Sequence, residues 1–468
     1  MVVTVTTGPT NLRIYQRSNE AQRSAIRVIG AYVGTGVTAE YKITEGARIV
    51  QNWKTFGAVS VAPGSYEGYM VNVPCGTAGA WYTLHVQILD GAGAVVDSVA
   101  LGHSWSVGII VLGAGQSLLS EWNTNGAAAV WQAGTSVTDQ AGTYSQPAAG
   151  QGATAFCKAL SNLTGVPVAL ANLAVSGSAL RKEYVIVTGY WYPDDATSHA
   201  NLLLRPFSQV DSIECMIWCQ GETDAVKAEL IYNKEARAYH DYTDDFKHFV
   251  DNVYSLFGAT FIYTIPIGRC EIGIIANKEH AGVRDALADR VLPLIRYAAT
   301  HYDLDHGAAN TDIYHLTPAE YEVLATRTAY QIAYNQFGIK EHGRVTGPWI
   351  DRAVFPYPNN LAVVDVHIDG IRNGLEFNGA ATLTHWIAHL SNGVEAVAPA
   401  SVALYGNVVR LTFAAPLGSD YLISYCYGTG IATAWNTGGV QDTLRTGILT
   451  NIPLQTLSNP IPIKQRTL

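Results

Sequence analysis

Four largely apolar runs lie between residues 107 and 267: Val107–Leu112, Val166–Val175, Ile213–Cys219 and Thr260–Ile267. A strand with one face in water alternates apolar and polar residues. A strand covered on both faces does not, and such strands belong mainly to parallel sheets with helices above and below. The stretches between and after the runs, Ala225–Leu256, Ala281–Thr300 and Pro318–Phe337, read as helices. Strands alternating with helices over some 230 residues predict an open α/β sheet. The expected domain is 107–340.

The flanks read differently. Residues 1–106 carry short β-branched and aromatic stretches at Val2–Thr6, Ser24–Tyr32, Ala58–Val61, Trp81–Leu89 and Ala94–Leu101. Turns such as Pro63-Gly64 separate them, which predicts a β-sandwich. Residues 341–468 show the same habit at Leu361–Ile368, Val402–Leu404, Val408–Phe413 and Tyr421–Tyr427, a second β-sandwich-like module. The 468 residues thus divide into three domains, enough to bury a core without disulfides. A net charge of -9 gives no electrostatic footprint for nucleic acid or an anionic membrane. Cys75, Cys157, Cys215, Cys219, Cys270 and Cys426 form no CxxC pair, so neither a metal site nor an oxidising compartment is required. The N-terminus lacks the basic and apolar regions of a signal peptide, and no apolar run reaches membrane length. A soluble protein, acting outside the cell or on a virus particle, is the expected setting.

Three runs end in small, polar turns: Gly115-Gln116-Ser117, Ser176-Gly177-Ser178 and Gln220-Gly221-Glu222. Any strand-to-helix turn uses Gly and Ser for geometry and capping. Three such turns at the carboxyl ends of neighbouring strands, however, occupy the place where open α/β sheets bind ligands. A fourth segment reads Thr311-Asp312-Ile-Tyr-His315-Leu-Thr317-Pro318-Ala-Glu320. Thr317, Pro318 and Glu320 have the pattern of a capping box with proline at the first helical position. His315 therefore sits on the loop entering the last helix, three residues after Asp312. A carboxylate fixes a neighbouring imidazole's tautomer and leaves Nε2 free to take a serine proton. Asp312 capping a surface turn is the plainer alternative.

Together, VGIIVLGAGQS, NLAVSGSAL, MIWCQGETDA and DIYHLTPAEY resemble the successive blocks of SGNH hydrolases. They are most similar to the sialate O-acetylesterase-like branch, over about 107–337. The resemblance implies a flavodoxin-like parallel-sheet, three-layer core between β-sandwich modules. It implies an esterase that removes O-acetyl groups from a carbohydrate without metal or organic cofactor. By position, Ser117 is the nucleophile, His315 the base and Asp312 its partner. The Ser117 and Gly177 N–H groups and the Gln220 side chain form the oxyanion hole, supported by Gln116 and Glu222. Leu118 departs from the asparagine usual after the serine. Trp191, Tyr190 and Tyr192 are candidates for a substrate wall, or ordinary packing residues. The implied partner is an acetylated glycan, with no nucleic acid or membrane. Some relatives are phage tail-associated deacetylases, so virion attachment and homo-oligomerisation stay open. The rival readings are an inactive glycan-binding or tail structural protein, and a lipase or thioesterase on the same fold.

Overall fold

A computed structural model gives the architecture. It describes residues 3–18, 23–124, 131–138, 140, 143–185, 188–225, 235–267, 294–299, 304, 315–342, 345–357, 359–381, 383–390, 396–418, 420–425, 440–442 and 457–465. The central sheet is built on strand Ser106–Gly115, every residue of which is buried. Val168–Asn172 pairs with it in parallel on one side and Cys215–Cys219 on the other. Beyond these lie Thr135–Thr138 outside Val168–Asn172, and Phe261–Thr264 then Ile295–Tyr297 outside Cys215–Cys219, all parallel. The chain thus leaves the central strand, runs to one side, and crosses back to the other. This places a topological switch point at the carboxyl end of Ser106–Gly115, where Ser117 follows.

Both faces of the sheet are covered. Ile109, Val111, Leu170 and Ile217 face a core closed by helices Gly152–Thr164 and Pro318–Gln336. Ile110, Leu112, Met216 and Trp218 face the opposite core, where helix Glu235–Phe257 contributes Phe246, Phe249 and Val253. This three-layer arrangement explains why the strands read as largely apolar runs without alternation. The predicted helix over Ala281–Thr300 is corrected at its end: Ile295–Tyr297 is an edge strand, with residues 295 and 297 buried and 296 exposed. Residues 281–293 lie outside the described residues.

The N-terminal module packs two four-stranded antiparallel sheets around one core that includes Tyr41, Tyr66, Tyr82 and Trp105. Its segment Ile14–Gln16 departs from the sandwich and pairs in parallel with Ser106–Gly108, so it joins the central sheet. In the C-terminal module, strand Leu457–Gln465 pairs with Tyr421–Tyr425 by its first part and with Trp349–Phe355 by its last. It thereby links two antiparallel groups of strands over a core with Phe355, Trp386 and Val409. No helix among the described residues is long and apolar enough to cross a membrane.

Candidate active site

The end of the central strand is shaped by close approach. Gly115 has φ +129°, and a Cβ there would lie 2.0 Å from the Cys219 carbonyl oxygen. Only glycine suits such a conformation. Its carbonyl accepts from the Val175 N–H at 2.9 Å and from the Ser178 hydroxyl at 3.1 Å. Next, the Gln116 N–H donates to the Cys219 carbonyl at 2.7 Å. The chain then enters a short helix, Ser117–Ser120, with Ser117 only 8 % exposed. The first N–H groups of a helix have no partner within it, so the Ser117 amide is available to a ligand.

The second turn is closed by the Ser178 N–H donating to the Val175 carbonyl at 3.2 Å. Gly177 has φ +72° in that turn, a position that favours glycine. Trp191 fixes the turn from beneath. Its indole N–H donates to the Ser178 hydroxyl at 2.8 Å, and its ring meets Trp218 edge-on at 5.7 Å. Being fully buried, Trp191 is a packing residue and not a substrate wall. Tyr190 and Tyr192, by contrast, line a cavity beside this turn.

Gln116 connects the first turn to the third. Its side-chain oxygen accepts from the Gln220 amide at 3.2 Å, and from the Gly221 and Thr223 N–H groups at 3.3 and 3.4 Å. Gln220 is fully buried. Its Nε2 also donates to Asp224 and, at 3.3 Å, to the Ser178 carbonyl, while Tyr242 donates to its Oε1 at 2.8 Å. Both hydrogens of the Gln220 amide are thereby committed inside the fold. Asp224 in turn accepts from the Leu180 N–H at 2.8 Å. Burial pushes its carboxyl up to about 6 despite these donors.

Glu222 follows on the same turn, with both carboxylate oxygens buried. Burial pushes it up to about 7; its own backbone N–H and the His315 ring favour its charge, and Asp224 opposes it. His315 is half-buried on the loop leading to helix Pro318–Gln336. Thr317 caps that helix as the sequence predicts: its N–H donates to Glu320 at 2.9 Å. The structure therefore gathers Gln116, Ser117, Gly177, Gln220 and Glu222 at one end of the sheet, and the charge of His315 favours that of Glu222. Asp312 lies outside the described residues. The electrostatic pairing of Glu222 with His315 went unread in the sequence; the acidic residue directly after Gln220-Gly221 was the available signal. Leu118 is buried in the core, and the Asn172 side chain donates to the Leu119 carbonyl at 2.8 Å, steadying the serine helix. Among the described residues no group of three or more His, Cys, Asp or Glu side chains is placed to hold a metal.

Residues 126–334 match the family model of carbohydrate esterases described as sialic acid-specific acetylesterases. No curated protein sequence matches the chain. Among solved structures, a carbohydrate acetylesterase from Xanthomonas citri is 16% identical, with a TM-score of 0.65 over 97% of this chain and 99% of that one. Est24, a carbohydrate acetylesterase from Sinorhizobium meliloti, is 14% identical over 48% of this chain and 99% of its own, with a TM-score of 0.31. The fold and the turns at its sheet edge define an SGNH-type α/β hydrolase core between β-rich modules. Within that fold, the matched segment is similar to the sialic acid-specific acetylesterases among carbohydrate esterases. The expected tie to a virus particle finds no support in these matches.

Proposed function

We propose that the chain is a serine esterase that removes O-acetyl groups from a carbohydrate through an acetyl-Ser117 intermediate. The observation that carries this reading is the bonded path at the switch point. Ser117 follows Gln116, Gln116 binds the 220–223 turn, and Glu222 on that turn is favoured in its charged form by His315. A hydroxyl, a base and a carboxylate are the parts that acyl transfer needs.

In the proposed reaction His315 takes the Ser117 proton as Oγ attacks the acetyl carbonyl. The tetrahedral oxyanion is met by the Ser117 and Gly177 N–H groups. As it collapses, the bond to the sugar oxygen breaks and His315 returns the proton to that oxygen. Water then repeats the sequence on the acetyl-enzyme. Asp312 is assigned to orient His315, and Glu222 offers a second carboxylate to the imidazolium. Gln220 is assigned to bracing the first and third turns; donating to the oxyanion would require it to release Asp224. The concave surface beside the site is lined by charged residues and tyrosines, which suits a sugar better than a long acyl chain.

The test is turnover of a chromogenic acetyl ester and of acetylated glycans, with Ser117→Ala as control. Acetyl esters should exceed butyryl and octanoyl esters in kcat/KM. A preference for longer chains would make the protein a lipase or thioesterase. Absence of turnover in the intact chain would make it a binding or structural protein.

A further inference from the structure

Beside the Ser176–Ser178 turn lies a cavity of about 580 Å³. This is within the range of small-molecule sites. It begins close to the proposed oxyanion turn, since four residues from Gly177 to Arg181 span at most about 14 Å. The wall is tied to that turn by hydrogen bonds: the Ala179 N–H donates to the Gly189 carbonyl and the Trp191 N–H to the Ala179 carbonyl. Tyr192 lies half-buried on the cavity's side, its ring centroid 5.2 Å from that of His248. Tyr190 lines it as well, its hydroxyl 3.0 Å from that of Thr197.

Both cations in the cavity are already paired. The Arg181 guanidinium is held in a fork by the Asp245 carboxylate behind it. Lys182 Nζ donates to Asp195 at 2.7 Å, and that carboxylate also accepts from the Thr197 N–H at 2.8 Å. Lys182 and its neighbours hold the Asp195 carboxyl far below its ordinary range. Asp194 lies 2.7 Å from His248 Nε2. Glu183 adds a third carboxylate on the rim, exposed to solvent. An anionic ligand would have to displace a carboxylate from Arg181 or Lys182 while facing the others. Hydroxyls, by contrast, can bridge such fixed pairs, donating to carboxylates and accepting from the cations. Aromatic side chains offer an apolar face with a polar handle.

We infer that this cavity is a subsite for an uncharged sugar ring, packed against Tyr192, and that it disfavours carboxylate-bearing sugars. The inference deepens the carbohydrate-esterase reading and rests on it. It makes the target a neutral acetylated glycan, whatever acid sugar its relatives recognise.

The experiment measures binding by the full chain carrying Ser117→Ala, so that no hydrolysis intervenes. The neutral probes are cellotetraose, xylotetraose, mannotetraose and maltotetraose; the acidic probes are sialyllactose and trigalacturonic acid. At least one neutral probe should bind, with little dependence on salt. Tyr192→Ala should weaken that binding roughly tenfold, and Tyr192→Phe should restore it. Glu183→Lys, at an exposed rim position, should improve binding of the acidic probes relative to the neutral ones. The inference is overturned if acidic probes bind unaltered chain as tightly as neutral ones. It is equally overturned if no neutral probe binds at millimolar concentration, or if neutral binding is indifferent to Tyr192→Ala. Binding of neutral sugars by a chain that cleaves no acetyl ester would overturn the esterase proposal alone.

Discussion

Glu222 is a carboxyl group that burial keeps protonated up to about pH 7, set against the proposed catalytic base. A neutral carboxyl cannot stabilise the imidazolium that forms in the transition state. Activity should therefore rise with pH through about 7 as Glu222 becomes charged. Glu222→Gln should flatten that rise and lower kcat roughly tenfold to hundredfold, as pH–rate profiles of both proteins will show. The stability effect has the opposite sign. Folding raises this pKa from 4.5 to about 7, so the folded state keeps a proton that the unfolded chain releases. Stability contributed by Glu222 thus falls between these pH values, by on the order of 3 kcal/mol. Glu222→Gln should raise the melting temperature at pH 8 and have little effect at pH 4. Ser117→Ala should remove nearly all esterase activity with the fold intact, and His315→Ala should cost about 10⁴-fold or more. Gln220→Glu places a carboxylate against Asp224 and the Gln116 oxygen. A buried, uncompensated charge costs about 3–5 kcal/mol, so the melting temperature should drop markedly. An unchanged melting temperature with kcat lowered about 10²–10³-fold would instead make Gln220 an oxyanion donor.

At the scale of elements, Gly115 decides how closely the first and third turns approach. Gly115→Ala would drive a methyl group into the Cys219 carbonyl at an unfavourable φ. Loss of several kcal/mol of stability is expected, by denaturant titration. The long buried strands were legible because burial on both faces writes itself as an apolar run. Ile295–Tyr297 was not legible: three residues on a sheet edge are too short to show a period, and only Phe261–Thr264 alongside defines them. Helix Gly152–Thr164 also escaped, its Gly, Ala, Thr and Ser residues giving little polar contrast. The capping box at Thr317 was legible because its chemistry is local. The contacts of Gln220 were not, since Gln116, Ser178 and Tyr242 converge on it from three distant segments, beside Asp224 of its own. A sequence motif names a residue, while its hydrogen bonds depend on what folding brings around it.

For the whole molecule, the join between the first module and the central sheet matters most. Beside strand Ile14–Gln16, the Arg17 guanidinium pairs with the nearly buried Glu214 at 3.1 Å, and Gln16 donates to the same carboxylate at 2.8 Å. Arg17→Ala would leave Glu214 uncompensated and should cost about 3 kcal/mol or more, measured by thermal unfolding. A chain beginning at Ser106 would lose both partners and a strand of the sheet, and should unfold at a lower temperature than the intact protein. The pairing of Ile14 with Ser106 also spans about 90 residues. Contacts so distant in sequence form slowly, because a long loop must close first. Here the sandwich closes it: the Leu12 N–H donates to the Ser104 carbonyl, and Tyr82 bridges to Trp105. A module that folds first during synthesis would present Ile14–Gln16 beside the start of the central strand and so seed the sheet. On that account a chain beginning at Ser106 should refold more slowly than the intact protein, as stopped-flow refolding will show.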